Sequence, residues 1–270
     1  MSGLDGLDQR GADDHRMPPP APGAAPLLQQ VRAQAAMETR LMLRNGEQLL
    51  LAVVIPVLAL VGGVAASRRL DIDLGGRAVD VLTPGVLALA VLSTSFTSLA
   101  IATGFERRYG LIKRLGASPL PRHGLLLGKV IALFGVQVLQ AAVICAVALA
   151  LGWSPDGGWV AIPVALVAAF LGTMAFGSLG LLMAGVLRAE ATLAAANLVY
   201  LLLLMGGGVV LPRESYGAAG DVLRFLPSGA LGDGLRAGLV DGRCDAVAMV
   251  VLTAWAVVGA VLAGRYFKWE

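Results

Sequence analysis

The sequence predicts an all-α polytopic membrane protein: six transmembrane helices behind an N-terminal amphipathic helix. Three observations carry that prediction. Of 270 residues, 57% are hydrophobic and only 14% charged, whereas an ordinary soluble domain is about 25% charged. Six apolar runs come close to or exceed the roughly 20 residues that cross a bilayer at about 1.5 Å rise each. The basic residues are spread unevenly over the connections between those runs.

Residues 1–26 are polar and then proline-rich (MPPPAPGAAP). They bury too little apolar surface to fold and are expected to form a disordered tail. The rest, 27–270, reads as one membrane domain. In 27–45, Leu27, Leu28, Val31, Ala35 and Met42 recur at helical spacing, with Arg32, Gln34, Glu38 and Arg44 between them. This is either a helix lying on the membrane surface or a plain soluble helix leading into the first span. Closeness to that span favours the surface reading.

The spans are expected at 49–66, 82–103, 130–151, 159–187, 193–211 and 246–263. Pro56 interrupts the first, which a membrane bundle tolerates when neighbours satisfy the freed carbonyl. Gly172, Gly177 and Gly180 either bend the long fourth span or let helices approach closely. Trp153 and Trp159 bracket the SPDGG turn as interfacial aromatics. Gly206, Gly207 and Gly208 either unwind the outer end of the fifth span or permit close packing. Polar residues within spans are few: Ser93, Thr94, Ser95, Thr97 and Ser98 in the second, Asn197 and Tyr200 in the fifth. They either hydrogen-bond between helices or form a mildly polar wall of a path; the path candidates are Ser95, Thr97, Ser98, Asn197 and Tyr200.

Charge sets the expected orientation. With the amino end in the cytosol, inner segments carry fourteen of the 21 Lys and Arg and outer segments seven, while the 18 acids divide nine and nine. That two-to-one bias places both termini in the cytoplasm. Arg outnumbers Lys eighteen to three and Ala and Gly abound, as in a GC-rich bacterial genome; the expected location is a bacterial plasma membrane. The net charge of +3 gives no polyanion-binding surface, so no nucleic-acid partner is expected. Cys145 in a span and Cys244 in a loop have neither disulfide nor metal-ligand spacing.

The densest basic segment is 104–129, GFERRYGLIKRLGASPLPRHGLLLGK, with six Lys and Arg and one acid, Glu106. Phe105, Tyr109, Ile112 and Leu115 lie at helical spacings with Arg107, Lys113 and Arg114 among them and Gly110 inside. Pro119 and Pro121 stiffen the turn that follows. The segment is expected to be a short amphipathic helix that lies on anionic lipid or enters a groove on a soluble partner.

Here the chain resembles the membrane subunits of type-2 ABC exporters. Their motif in this loop is Glu, Gly four residues on, Leu, Pro, then Gly-Lys entering the third span. Glu106, Gly110, Leu115, Pro119, Gly128 and Lys129 occupy those positions. A second signature, Pro with Asp six and Arg nine residues on, is matched by Pro227, Asp233 and Arg236 in RFLPSGALGDGLRAGL, where Leu231, Leu235 and Leu239 share a helical face. Two positions depart from the pattern: Arg107 and Arg108 stand where a second acid is common, and Leu111 where Thr is common.

The resemblance implies six spans with both ends cytoplasmic and an extracellular re-entrant helical region, 212–245, beside the exit of the path. It implies that 104–129 is a coupling loop docking on a separate ATPase, with Phe105, Glu106, Arg107, Arg108, Tyr109, Gly110, Ile112, Lys113, Arg114, Leu115 and Pro119 as coupling residues. It implies a second permease subunit, alike or paralogous, and an outward-moving lipid, antibiotic or other amphipathic substrate. The chain itself would need no cofactor, ATP and Mg being held by the ATPase.

The residues weigh against other classes. HGLLLGKV leaves three residues between Gly124 and Gly128, and Val130 follows Lys129, so it is not a phosphate-binding Walker A loop. The two histidines, His15 and His123, lie outside the spans, which removes an intramembrane Ser–His dyad. The main alternative is an ATP-independent carrier or channel. Against it, the cores of the predicted spans carry no ionisable residue and no inverted repeat is visible.

Overall fold

The computed structural model describes residues 25–44, 46–72, 74–111, 122–155 and 157–267; the side chains of 47–51, 122, 123, 126 and 214 are outside that description. The expected tail is thus largely outside it, as are Ile112, Lys113, Arg114, Leu115 and Pro119. Among the described residues the fold is all helix, with six helices long and apolar enough to cross a membrane. These are Ala52–Leu70, Ala78–Arg108, Leu127–Ala150, Gly158–Val186, Ala189–Gly206 and Ala246–Tyr266. Each coincides with an expected apolar run. The chain is a multi-pass membrane protein.

In chain order, α1 is Leu27–Arg44 and α2, containing the first span, is Gly46–Leu70. The second span comprises α3 (Ala78–Leu92), a π-helical stretch (Ser93–Ser98) and α4 (Leu99–Arg108). The third span lies in α5 (Arg122–Ala150), the fourth in α6 (Ala161–Val186) and the fifth in α7 (Ala189–Gly206). A 3₁₀ stretch (Arg213–Ala219) and the single turn α8 (Gly220–Leu223) lead to α9 (Pro227–Leu239). The last span is α10 (Ala246–Tyr266), whose first turn is capped by Asp245 accepting from the Val247 and Ala248 N–H groups at 3.0 and 3.1 Å.

The second span is the hub. Its central window is 72% buried, against 17% for the first and fifth spans and 28% for the sixth. Residues 82–92 are buried all round, so this helix is enclosed by neighbours while the others turn one side to lipid. It packs against α2, α5, α6, α7 and α9.

Small residues allow the close approaches. A Cβ on Gly180 would stand 2.9 Å from the Phe96 carbonyl, and one on Gly172 would stand 2.8 Å from Leu231 Cδ1. α6 is nevertheless unbroken, so its glycines serve packing rather than bending. The opposite holds in the fifth span: α7 ends at Gly206 and Gly208 adopts φ +68°, so this triplet does unwind the helix. The unwound segment then runs against the second span, where a Cβ on Gly85 would meet the Val210 carbonyl oxygen at 2.2 Å.

α1 packs on the start of α5 through Val31, Gln34, Ala35 and Glu38, one helical stripe. Its other side exposes Leu27, Leu28, Met37, Leu41 and Leu43. Arg32, Arg40 and Arg44 are exposed with them, so the outer side mixes apolar and basic residues, as suits a helix bordering lipid at the membrane surface.

Gly85→Ala is expected to cost about 1–3 kcal/mol, because the added methyl has no room against a backbone carbonyl. Gly62→Ala, with nothing within 4 Å of its Cβ, is expected to gain about 0.5–1 kcal/mol from helix propensity. Thermal unfolding of the two variants in one detergent checks both signs.

Candidate functional site

The site lies where the second span meets the 104–129 segment. α4 runs as one helix through Arg108, and Gly110 with φ +71° ends it. Phe105 to Arg108 therefore form the last turn of the second span. The expected separate helix beginning at Phe105, with Gly110 inside it, is not what the structure has. Left-handed backbone at Gly110 stops the helix there, as glycine commonly does past a C-terminus.

Lys129, in the first turns of the third span, is the centre of the site. Its Nζ lies 2.8 Å from Glu106 Oε1 and 3.0 Å from Glu38 Oε1. The Lys129 and Glu38 side chains are each 9% exposed and that of Glu106 23%. Gln34 Nε2 donates to the same Glu38 oxygen at 2.9 Å. Three elements, α1, α4 and α5, thus share one shielded ion cluster. Gly128 lets α1 come in: a Cβ there would stand 2.7 Å from Gln34 Cγ. The adjacent Gly-Lys so admits the helix and then holds it.

The two arginines after Glu106 face the fourth and fifth spans. Arg107 donates to the carbonyls of Gly185 and Leu187. Gly185 lies in the last turn of α6, where carbonyls lack helical partners and the dipole is negative. Arg108 pairs with Glu190 in the first turn of α7. Gly104, Arg107, Arg108, Arg188, Ala189 and Glu190 line an open cleft of about 400 Å³. Phe105 stacks on Tyr109 with centroids 6.2 Å apart, and Tyr109 and Leu111 are exposed, at 67% and 44%. Of the coupling candidates that are described, Glu106, Arg107 and Arg108 are engaged internally, while Tyr109 presents apolar surface outward, joined by Leu111, which was not among them. Leu111 had stood out in the sequence only as a departure from the family motif.

The path candidates separate. Ser95 is fully buried, donates to the Val91 carbonyl and accepts from Gln137 Nε2 at 3.1 Å. Gln137 Oε1 in turn accepts from Thr173 at 2.5 Å. Thr94 donates to Gln140 Oε1 at 3.1 Å, and Gln140 donates to the Ala52 carbonyl. Two glutamines of the third span thereby link the first, second and fourth spans at the π-helical stretch. Thr97 Oγ1 is shielded with no partner among the described residues. Ser98 lines a cavity toward Glu106. Asn197 is exposed and bonds back to the Leu193 carbonyl of its own helix at 2.9 Å. Tyr200 packs half-buried on the main core. Ser95 and Asn197 are therefore not brought together.

At the opposite end of the bundle, Arg236 Nη2 donates to the Val209 and Val210 carbonyls at 2.9 and 2.7 Å. Asp233 lies 3.7 Å from both Arg236 and Arg213. Pro227 opens α9, and Ser228 Oγ donates to the Gly207 carbonyl at 2.8 Å. The Pro-Asp-Arg signature thus pins α9 to the unwound 207–211 segment, with Leu231, Leu235 and Leu239 all buried.

A family model, ABC-2 type transporter, matches residues 29–240. The chain belongs to the ABC-2 type transporter family. The matched region begins in α1 and ends just past α9, so it contains the ion cluster and the Pro-Asp-Arg lattice. No curated protein gives a significant match. As an ABC-2 type transporter the chain is a membrane subunit of a transport system.

Sequence reasoning missed Glu38, Gln137, Gln140, Thr173 and Glu190 as members of these networks. Two glutamines at i, i+3 in an otherwise apolar run were a readable signal, since buried amides in a span need partners.

Lys129→Met would leave two carboxylates facing each other without a cation, a loss of about 3–5 kcal/mol for breaking a buried pair. The expected outcome is loosening of α1: trypsin should cut at Arg32 or Arg40 much faster than in the parent protein. Equal cleavage rates would mean that the cluster does not hold α1.

Proposed function

We propose that this chain is the permease half of an ATP-driven exporter for a hydrophobic or amphipathic substrate. ATP hydrolysis resides in a separate ABC ATPase chain, and a second permease subunit, identical or paralogous, completes the path. Both termini and the 104–129 segment face the cytosol of a bacterial cell, and the 212–245 region faces outward.

The observation that carries this reading is the stapling of the second span's last turn to α1, α5 and the turn between the fourth and fifth spans. Glu106 is tied to α1 and α5 through Lys129. Arg107 and Arg108 are tied to the turn between the fourth and fifth spans. A displacement applied to this segment is therefore delivered to four parts of the bundle at once. The exposed Tyr109 and Leu111, with the basic residues that follow, supply a surface that an ATPase groove can grip.

The ATPase provides the free-energy difference between inward- and outward-facing states, and the permease converts it into helix movement. The π-helical stretch Ser93–Ser98 lies along that route. Such insertions mark places where a helix yields and often accompany function. Above it, the buried α3 transmits the motion to α9 and the 207–211 segment at the exit. The outward direction rests on the family resemblance alone, and the amphipathic substrate on that resemblance and the apolar composition of the spans.

Replacing Tyr109 and Leu111 together with glutamate should abolish co-purification with the partner ABC ATPase, while membrane insertion stays normal. The assay is affinity capture of the permease from solubilised membranes, followed by nucleotide-hydrolysis measurement. Co-purification and hydrolysis equal to the parent's would remove the docking role. Cargo movement by the permease alone in vesicles, without nucleotide, would instead favour a carrier or channel.

A further inference from the structure

Between α1 and the first three spans lies a cavity of about 180 Å³, lined by Glu38, Glu106 and Lys129 at one end and Thr94 and Ser98 at the other. Leu99, Leu133 and Val136 make apolar wall between them. It is distinct from the exposed docking surface at Tyr109 and Leu111.

Its charge is unbalanced. Lys129 answers one oxygen of each carboxylate, Glu38 Oε1 and Glu106 Oε1. Among the described residues, Glu106 Oε2 is buried with no hydrogen-bond partner. Among the described residues that line it, two carboxylates against one ammonium leave a net negative charge beside apolar wall, where the low dielectric strengthens attraction for a cation. The volume equals about six waters at roughly 30 Å³ each. That admits an ammonium group and the first methylenes of its stem, not a whole amphiphile.

We propose that this cavity binds the alkylammonium head of an amphiphilic monocation. An anion meets two carboxylates there, and a neutral alcohol forgoes the charge-assisted bonds. The stem runs along the Leu99, Leu133 and Val136 wall toward the lipid. The head can come from an aminophospholipid of the bilayer or from a free alkylamine, and the site recognises what the two share. The proposal concerns binding alone and stands whether or not an ATPase docks on Tyr109 and Leu111.

The test uses the full chain in nanodiscs of uncharged glycosyl diacylglycerol, which carries no amine, with empty nanodiscs as blank and octylammonium as probe. Equilibrium dialysis should show saturable octylammonium binding above the blank and none for octyl sulfate. Glu106→Gln, which keeps the Lys129–Glu38 pair, should weaken it by about tenfold or more. Leu133→Phe, which fills the cavity, should weaken it as well. The double variant Glu38→Gln and Glu106→Gln leaves Lys129 as the one charge and should reverse the preference, so that octyl sulfate binds and octylammonium does not. A misfolded protein would not gain that affinity. Phosphatidylethanolamine added to the nanodiscs distinguishes the sources: competition assigns the head to the bilayer lipid, its lack to a free amphiphile. No saturable binding, unchanged affinity in Glu106→Gln, or equal binding of octyl sulfate by the parent protein would overturn the proposal.

Discussion

Everything at the loop end of this bundle depends on one ammonium group held between two carboxylates. Lys129, Glu38 and Glu106 come from three helices. Two opposite unit charges about 4 Å apart attract by about 4 kcal/mol at an effective dielectric of about 20. Taking such groups out of water costs several kcal/mol per ion, so the cluster is favourable only while all of its members are in place. That makes it a poor source of net stability and a strong source of specificity. It demands one register of α1 on α5 and one position of the second span's last turn. Breaking it leaves an uncompensated charge, so the three helices are better placed to move together than apart.

The same logic recurs at two further levels. At mid-bundle, Gln137 and Gln140 satisfy hydroxyls of the second and fourth spans and a carbonyl of the first. In an apolar surrounding an unmade hydrogen bond is costly, so these amides fix helix rotation where Leu and Ala could not. At the far end, Arg236 occupies carbonyls that the unwound 207–211 segment cannot pair within a helix. Backbone without helical partners at such depth is tolerated where protein groups satisfy it. Polar groups thus set register at three heights, and small residues such as Gly85, Gly128 and Gly180 let the helices close around them.

The spans were legible because crossing a membrane imposes length and composition, and both are written along the chain. The Pro-Asp-Arg signature was legible as a pattern, and its spacing does place Pro227 at the start of α9 and Arg236 a few turns on. What the pattern does not encode is the carbonyl that Arg236 finds, since Val209 and Val210 offer only backbone. The ion cluster was legible in half: Glu106 and Lys129 stand in one loop motif, but Glu38 lies far upstream and looked like solvent-side polarity on an amphipathic helix. Periodicity assigns residues to a face and says nothing about the partner that face meets. The family resemblance assigns Arg107 and Arg108 to the coupling surface, because it follows the loop motif and not the tertiary neighbours. Their engagement with the fourth and fifth spans arises from tertiary proximity that no local pattern records.

The ion cluster requires that α1, the end of the second span and the start of the third move as one rigid unit. Spin labels on the exposed positions Met37 and Leu127, with a reference at Val250 on α10 and both native cysteines replaced by serine, measure the α1–third-span part of that unit and leave the docking surface at Tyr109 and Leu111 untouched. Pulsed-dipolar distances would be taken for the ATPase-bound complex with and without nucleotide. The expected result is that Met37–Leu127 stays fixed while the distance from each to Val250 changes. A Met37–Leu127 distance that changes as much as the distances to Val250 would contradict it.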